Sequence, residues 1–255
     1  LKLVAGINEA AQKNDWELEI PYLMGLIGTR SVSKTIPGIH EIKQKNRERI
    51  VNGADLSERA AAPGSLISVL GANVSSARSG NSLYPVLESG DQASQLQVPF
   101  EVVPGSFVIS LETAAGRWSA PISVKEASPA IFVDSDGTPV ILDAASGLVQ
   151  DAGTPVMPGS LIQVLATGLG RTDPEWPTNM AAPAENSPKV RGSVAAWLDG
   201  TPVEVTRATL APGFIGYYVV EMRLPAVLNR GARELRIVMG GEESNRVKLL
   251  IASAQ

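Results

Sequence analysis

The sequence predicts an all-β chain of tandem antiparallel β-sandwich units, with short helical turns at most. Three observations predict it. A nine-residue phrase occurs twice, as Ala62 to Leu70 (APGSLISVL) and as Met157 to Leu165 (MPGSLIQVL). The 24 glycines and 18 prolines are spread along the chain rather than clustered, which suits many short strands joined by turns. Apolar runs of strand length, bounded by Gly and Pro, recur without a sustained helical period.

Residues 1–48 form an N-terminal segment. Ile7 to Asp15 and Glu41 to Arg49 have room for a short turn of helix each, and neither holds a helical period. Leu18-Glu19-Ile20-Pro21 resembles two later strand ends, and Pro37-Gly38-Ile39-His40 resembles Pro129-Ala130-Ile131-Phe132. The segment therefore reads either as the trailing half of a further unit or as an unrelated extension. Lys43, Lys45, Arg47 and Arg49 alternate with other residues, which puts four cations on one face of an extended strand. A solvated face that discourages edge pairing accounts for them.

The first unit is expected over residues 49–132 and the second over 133–255, both Ig-like. Pro63-Gly64 and Pro158-Gly159 each set a turn, because proline fixes φ and glycine supplies a positive φ. A buried strand follows each turn: Leu66, Ile67, Val69 and Leu70 in one, Leu161, Ile162, Val164 and Leu165 in the other. Leu96-Gln97-Val98-Pro99 matches Met222-Arg223-Leu224-Pro225, and these prolines end strands because they cannot donate to a ladder. Ser106 to Val124 then runs in register with Ala232 to Leu250, a hairpin written twice.

The opening phrases lie 95 residues apart, whereas Pro99 and Pro225 lie 126 apart, as do Gly105 and Gly231. The second unit therefore carries about 31 extra residues, between Gly170 and Gly213. They read as a long Pro-, Asn- and Ala-rich loop plus an extra hairpin that the first unit lacks. Its strands are Ser193 to Leu198 and Val203 to Thr206, with Asp199-Gly200 at the turn.

Ala62 to Gly71, Gln95-Leu-Gln-Val-Pro-Phe-Glu101 and Ser128-Pro-Ala-Ile-Phe132 in the first unit, with Ala166-Thr-Gly-Leu-Gly170 and Leu210 to Tyr218 in the second, together carry a family resemblance. Over roughly residues 50–252 the chain resembles the Solibacter-type C-terminal module family, found mostly in large exported proteins of Acidobacteria. That resemblance implies an extracellular β-sandwich module and brings no established activity and no catalytic residues. Residues 1–48 match the pattern only loosely.

Charge and composition narrow the partners. A net charge of −4 gives no drive toward nucleic acid or an anionic membrane. No run approaches the roughly 18 apolar residues of a membrane span. Cysteine is absent, so disulfides and thiolate metal sites are excluded, while the redox compartment stays open. The chain begins at Leu1, as a processed or excised form does.

The chemistry-bearing residues are few. His40 is the one histidine and aligns with Phe132, which makes it a packing ring before a catalytic base. No Gly-x-Ser-x-Gly elbow occurs. Gly168-Leu169-Gly170 begins like a phosphate loop, but Asp173 stands where the third glycine belongs, so a turn is expected. Asp134-Ser135-Asp136-Gly137 has the alternating carboxylates of a calcium loop without its distal Glu, and reads as a plain Asp-Gly turn. A carboxylate pair for glycoside hydrolysis is a matter of distances that a sequence does not show. No catalytic residue, cofactor or metal is assigned.

The expected function is that of a non-enzymatic structural or adhesive protein, extracellular or at the cell surface. A segment with half a unit's strands has backbone groups to satisfy, and donation of the strand holding Leu18, Ile20 and Tyr22 to a neighbouring copy would build a homo-oligomer or filament. The rival arrangement folds the segment back on its own first unit. The alternative function is carbohydrate binding, with polysaccharide stacked on Trp176, Tyr217 and Tyr218 around the long loop.

Overall fold

A computed structural model describes residues 48–151 and 153–252. Leu18, Ile20, Tyr22 and His40, like Lys43, Lys45 and Arg47, lie outside the described residues. Among the described residues there is no helix, and none therefore that is long and apolar enough to cross a membrane.

The first unit is built of β1 (Arg49–Asn52), β2 (Leu66–Leu70), β3 (Val74–Ser79), β4 (Ser82–Leu83), β5 (Val86–Ser89), β6 (Ala93–Gln97), β7 (Gly105–Thr113) and β8 (Gly116–Val124). They form two antiparallel sheets, in the orders β1-β2-β6-β5 and β4-β3-β7-β8. Taken as A, B, E and D against C, F and G, with β4 as a short addition, this is the strand order of a constant-type immunoglobulin sandwich. Ile67, Val69, Leu96, Ile109, Leu111 and Ile122 fill the space between the sheets.

The second unit repeats the order with β9 (Ala130–Ile131), β10 (Ile141–Asp143), β11 (Leu161–Thr167), β12 (Thr172–Asp173), β13 (Lys189–Val190), β14 (Val194–Leu198), β15 (Thr201–Leu210), β16 (Tyr218–Arg223), β17 (Gly231–Met239), β18 (Glu242–Glu243) and β19 (Val247–Ile251). Strands β10-β11-β16-β15 form one sheet, and β14, β17 and β19 the other. The two sheets are continuous through β15. Its first residues, Thr201 to Val203, pair with β14, and Glu204 to Leu210 pair with β16. A bulge between Val205 and Arg207 turns that corner.

The repeat is real in three dimensions. Gly64 and Gly159 share a φ of 77°. The N–H of Val98 donates to Ser65 O at 2.8 Å, and the N–H of Leu224 donates to Ser160 O at 2.9 Å, the same bond at repeat-equivalent places. Strand pairing agrees too, with Leu66 opposite Gln97 and Leu161 opposite Arg223.

Two expectations need correction. The hairpin β14–β15 is not extra: β14 pairs with β17 as β3 pairs with β7, and β15 pairs with β16 as β5 pairs with β6. The first unit has the same element in a sequence too different to align. The largest share of the added residues builds β12, β13 and the loop between them. The boundary also moves, because Ala130 and Ile131 pair with Thr167 and Ala166 of β11 and so belong to the second unit rather than the first.

Turn chemistry follows the residues present. Asp199 and Gly200 take φ values of 48° and 77°, the left-handed pair that a two-residue Asp-Gly hairpin turn requires. Asp134 Oδ1 accepts the N–H groups of Asp136 and Thr138, at 3.0 and 2.8 Å, so its turn is closed by its own carboxylate.

A third apolar cluster lies between the units. Ala54 and Leu66 of the first pack with Phe132, Val140, Leu165, Ala211, Phe214 and Tyr217 of the second. With a smaller cluster of Val51, Leu56, Leu70 and Ala93 inside the first unit, β2 and β6 are buried on both faces, although both belong to an antiparallel sheet that ordinarily leaves one face wet.

Candidate functional site

The junction between the units is assembled from short-range chemistry. Residues 126–129 connect them and run over Gly168 and Gly170, whose φ values are 79° and 71°. A Cβ on Gly168 would stand 2.0 Å from Ser128 O, and one on Gly170 2.3 Å from Glu126 O. These glycines are the seat of the connecting segment, which is the physical content of the Gly-Leu-Gly motif. The first unit holds the same segment through Arg59, which donates to Pro129 O at 2.6 Å while paired with Asp55 at 2.7 Å. From the second unit, Asn245 donates to Ile131 O and accepts from Ile131 N, at 3.0 and 2.7 Å. Asn245 stands between β18 and β19, where the pairing with β17 shifts by one residue.

Arg171, just past Gly170, turns its guanidinium back onto the first unit. Its Nε donates to Phe100 O at 3.2 Å, Nη2 to Val102 O at 2.9 Å, and Nη1 to the carboxylate of Glu126 at 3.3 Å. The long loop then folds over the same stretch. Thr178 Oγ1 accepts from Phe100 N at 2.9 Å and donates to Glu101 at 2.6 Å, and Asn179 N donates to Gln97 Oε1 at 2.7 Å.

A cleft of about 190 Å³ remains where loop and first unit meet, lined by Phe100, Glu101, Arg171, Thr172, Glu175 and Trp176. Trp176 is half-buried, one side packed on the second unit's core, and its Nε1 donates to Met180 O at 2.9 Å. That bond fixes the plane of the indole. Glu175 is exposed and paired with Arg191 at 3.1 Å.

The three aromatic residues expected at a sugar site part company. Trp176 lines the cleft. Tyr217 does not: it is 6% exposed and stacks on Phe132 with ring centroids 4.6 Å apart. Tyr218 is fully buried, its hydroxyl donating to Gly170 O at 2.5 Å, and burial pushes that hydroxyl's pKa far up. Neither tyrosine has a ring face that a sugar can reach, because Tyr217 packs in the cluster between the units and Tyr218 in the second unit's own core. In their place stand Arg171 and Glu175 of the second unit and, 70 residues before Arg171, Glu101 of the first. The one local signal was the Glu175-Trp176 pair.

A second cleft, about 230 Å³, is lined by Asp136, Thr138, Ile141, Gln150, Asp151 and Lys248 among others. Asp151 is committed to its own turn, since Oδ1 accepts from Thr154 Oγ1 at 2.7 Å and from Gly153 N at 2.8 Å. The Thr154 hydroxyl is the main cause of a carboxyl pKa below the ordinary range. The walls carry no aromatic ring.

No family model and no curated protein matches the chain. Among solved structures it is similar to SGBP-B of the mixed-linkage glucan utilization locus of Bacteroides ovatus, solved with a mixed-linkage heptasaccharide, at 14% identity over 76% of this chain and 44% of that one, with a TM-score of 0.33. Domains 5-6 of the S-layer protein SbsC match at 15% identity over 82% of this chain and 100% of that one, TM-score 0.33. A titin Ig tandem matches at 9% identity over 76% and 93%, TM-score 0.23. The chain spans less than half the length of the Bacteroides ovatus protein. The Ig-like assignment rests on the strand order itself.

Proposed function

We propose that the chain is a non-catalytic structural module of an extracellular or cell-surface protein, in which two Ig-like units are held in one fixed orientation. The observation that carries this reading is the apolar cluster between the units, which packs Ala54 and Leu66 of one against Phe132, Leu165, Phe214 and Tyr217 of the other. Tandem domains joined only by a linker move relative to each other by default, and a sizeable apolar interface is what removes that freedom. The held connecting segment and the ion pair of Lys125 with Glu242 at 2.7 Å support it. The resemblance to exported modules supports the location.

The finer reading is a subunit that joins copies by donating the strand of Leu18, Ile20 and Tyr22. An acceptor needs an open sheet edge, and among the described residues β8 is the last strand of its sheet, covered by Ala61 near Val124.

Backbone relaxation and residual dipolar couplings test the fixed orientation. One alignment tensor and one tumbling rate are expected for residues 49–252. Two independently oriented units would overturn the structural reading.

A further inference from the structure

We propose that the cleft beside Trp176 binds one ring of a neutral saccharide, with the indole as stacking platform and Glu101, Glu175 and Arg171 as hydrogen-bonding partners. The inference goes beyond the structural role and draws on a different set of residues.

The cleft has the three components that sugar recognition needs. The first is a flat apolar face of fixed orientation: Trp176 is clamped by its bond to Met180 O and backed by the core, so little side-chain entropy is lost on binding. The second is a set of acceptors. Glu101 and Glu175 each engage one carboxylate oxygen in the described contacts, with Thr178 and Arg191, and each keeps the other for a ligand. The third is a donor. Arg171 uses three N–H groups on Phe100 O, Val102 O and Glu126, which leaves two of the five that a guanidinium carries.

Charge selects among ligand classes. An anionic sugar acid would meet two carboxylates against one guanidinium, and a quaternary ammonium seated on the indole would give the guanidinium no acceptor. A ring of hydroxyls donates to the carboxylates and accepts from the arginine, so it alone satisfies all three. Size selects as well: about 190 Å³ is below the roughly 300–1,000 Å³ of drug-sized pockets, which suits one sugar ring of a chain. The position agrees, because Phe100 and Glu101 come from one unit and the remaining lining residues from the other, and binding clefts favour domain junctions.

The test is calorimetric titration of the full chain with cellotetraose, laminaritetraose, xylotetraose, mannotetraose and chitotetraose, beside tetragalacturonate and choline. At least one neutral tetrasaccharide is expected to bind with a Kd in roughly the micromolar to millimolar range, and neither charged probe. Trp176→Ala should weaken binding by about tenfold or more, and Glu175→Ala by a few-fold, about one hydrogen bond's worth. Should Trp176→Ala disturb the loop, the indole N–H resonance of Trp176 in the unaltered protein is the second readout, and it should shift on titration. No binding of any neutral probe up to about 10 mM, affinity indifferent to both substitutions, an unmoved Trp176 resonance, or preferential binding of choline or tetragalacturonate would each overturn the proposal.

Discussion

The hydroxyl of Thr167 lies between the units and binds Leu66: it accepts the Leu66 N–H at 3.0 Å and donates to Gly216 O at 2.8 Å. Thr167 ends β11 and Leu66 begins β2, so one side chain of the second unit completes the backbone hydrogen bonding of the first. Gly216 permits the approach, since a Cβ there would stand 2.6 Å from Leu66 Cδ2. Thr167→Val keeps the shape and strands two buried backbone groups. A loss of about 1 to 3 kcal/mol in urea denaturation is expected. A loss indistinguishable from zero would mean that the junction is wet or open.

The Pro-Gly turns share a conformation and differ in surroundings, which makes a paired test. A Cβ on Gly64 would lie 2.1 Å from the Phe100 ring, whereas one on Gly159 would meet Ala226, the repeat-equivalent residue, at an ordinary 3.6 Å. Gly159→Ala should cost about 1 to 2 kcal/mol for its left-handed φ alone. Gly64→Ala should cost more, by about 1 to 3 kcal/mol of overpacking. Phe100→Ala combined with Gly64→Ala should be less damaging than the sum of the two. Equal costs for the two glycines would remove the argument.

Two buried tyrosines should respond oppositely to loss of the hydroxyl. Tyr84 is 2% exposed and its hydroxyl has no partner among the described residues, so Tyr84→Phe should be neutral or stabilising. Tyr218→Phe abandons the carbonyl of Gly170 and should cost about 1 to 3 kcal/mol. Thermal or urea unfolding distinguishes them.

Burial raises the pKa of both hydroxyls, and the consequence is alkaline instability. Below about pH 10 both tyrosines are protonated in the folded and unfolded chain, and they contribute no slope. Above it the unfolded chain releases protons that the folded chain keeps, so stability falls by up to about 1.4 kcal/mol per pH unit for each tyrosine. Urea midpoints between about pH 9 and pH 11 should show the fall, and Tyr218→Phe should flatten it. A midpoint insensitive to pH in that window would contradict the burial.

Glu101 and Glu175 share a cleft, which raises the question of hydrolysis directly. Incubation with the neutral tetrasaccharides is expected to release no reducing ends. Release that disappears in both Glu101→Gln and Glu175→Gln would replace the structural reading with an enzymatic one.

Local rules carried much of the fold. The doubled phrase, the Pro-Gly turns, the proline-ended strands and the Asp199-Gly200 turn were all readable, because φ preference, a missing N–H and strand periodicity act within a few residues. Similarity failed where geometry constrains the backbone and leaves side chains free: β3 to β5 and β14 to β15 occupy equivalent places with no shared phrase.

The sequence by itself determined that residues 49–252 hold two copies of one β-unit. Tertiary structure alone decided how the copies meet. Ser68, Gln95 and Gln97 alternate with apolar residues, as on a solvated strand face, yet they are buried, because the second unit covers the sheet they stand on. The same contact sent Tyr217 inward and brought Glu101 beside Arg171 and Trp176, which lie 70 residues and more further along the chain. Burial and convergence are properties of surfaces brought into contact, and periodicity along a chain encodes only which side a residue is on, not what will cover that side.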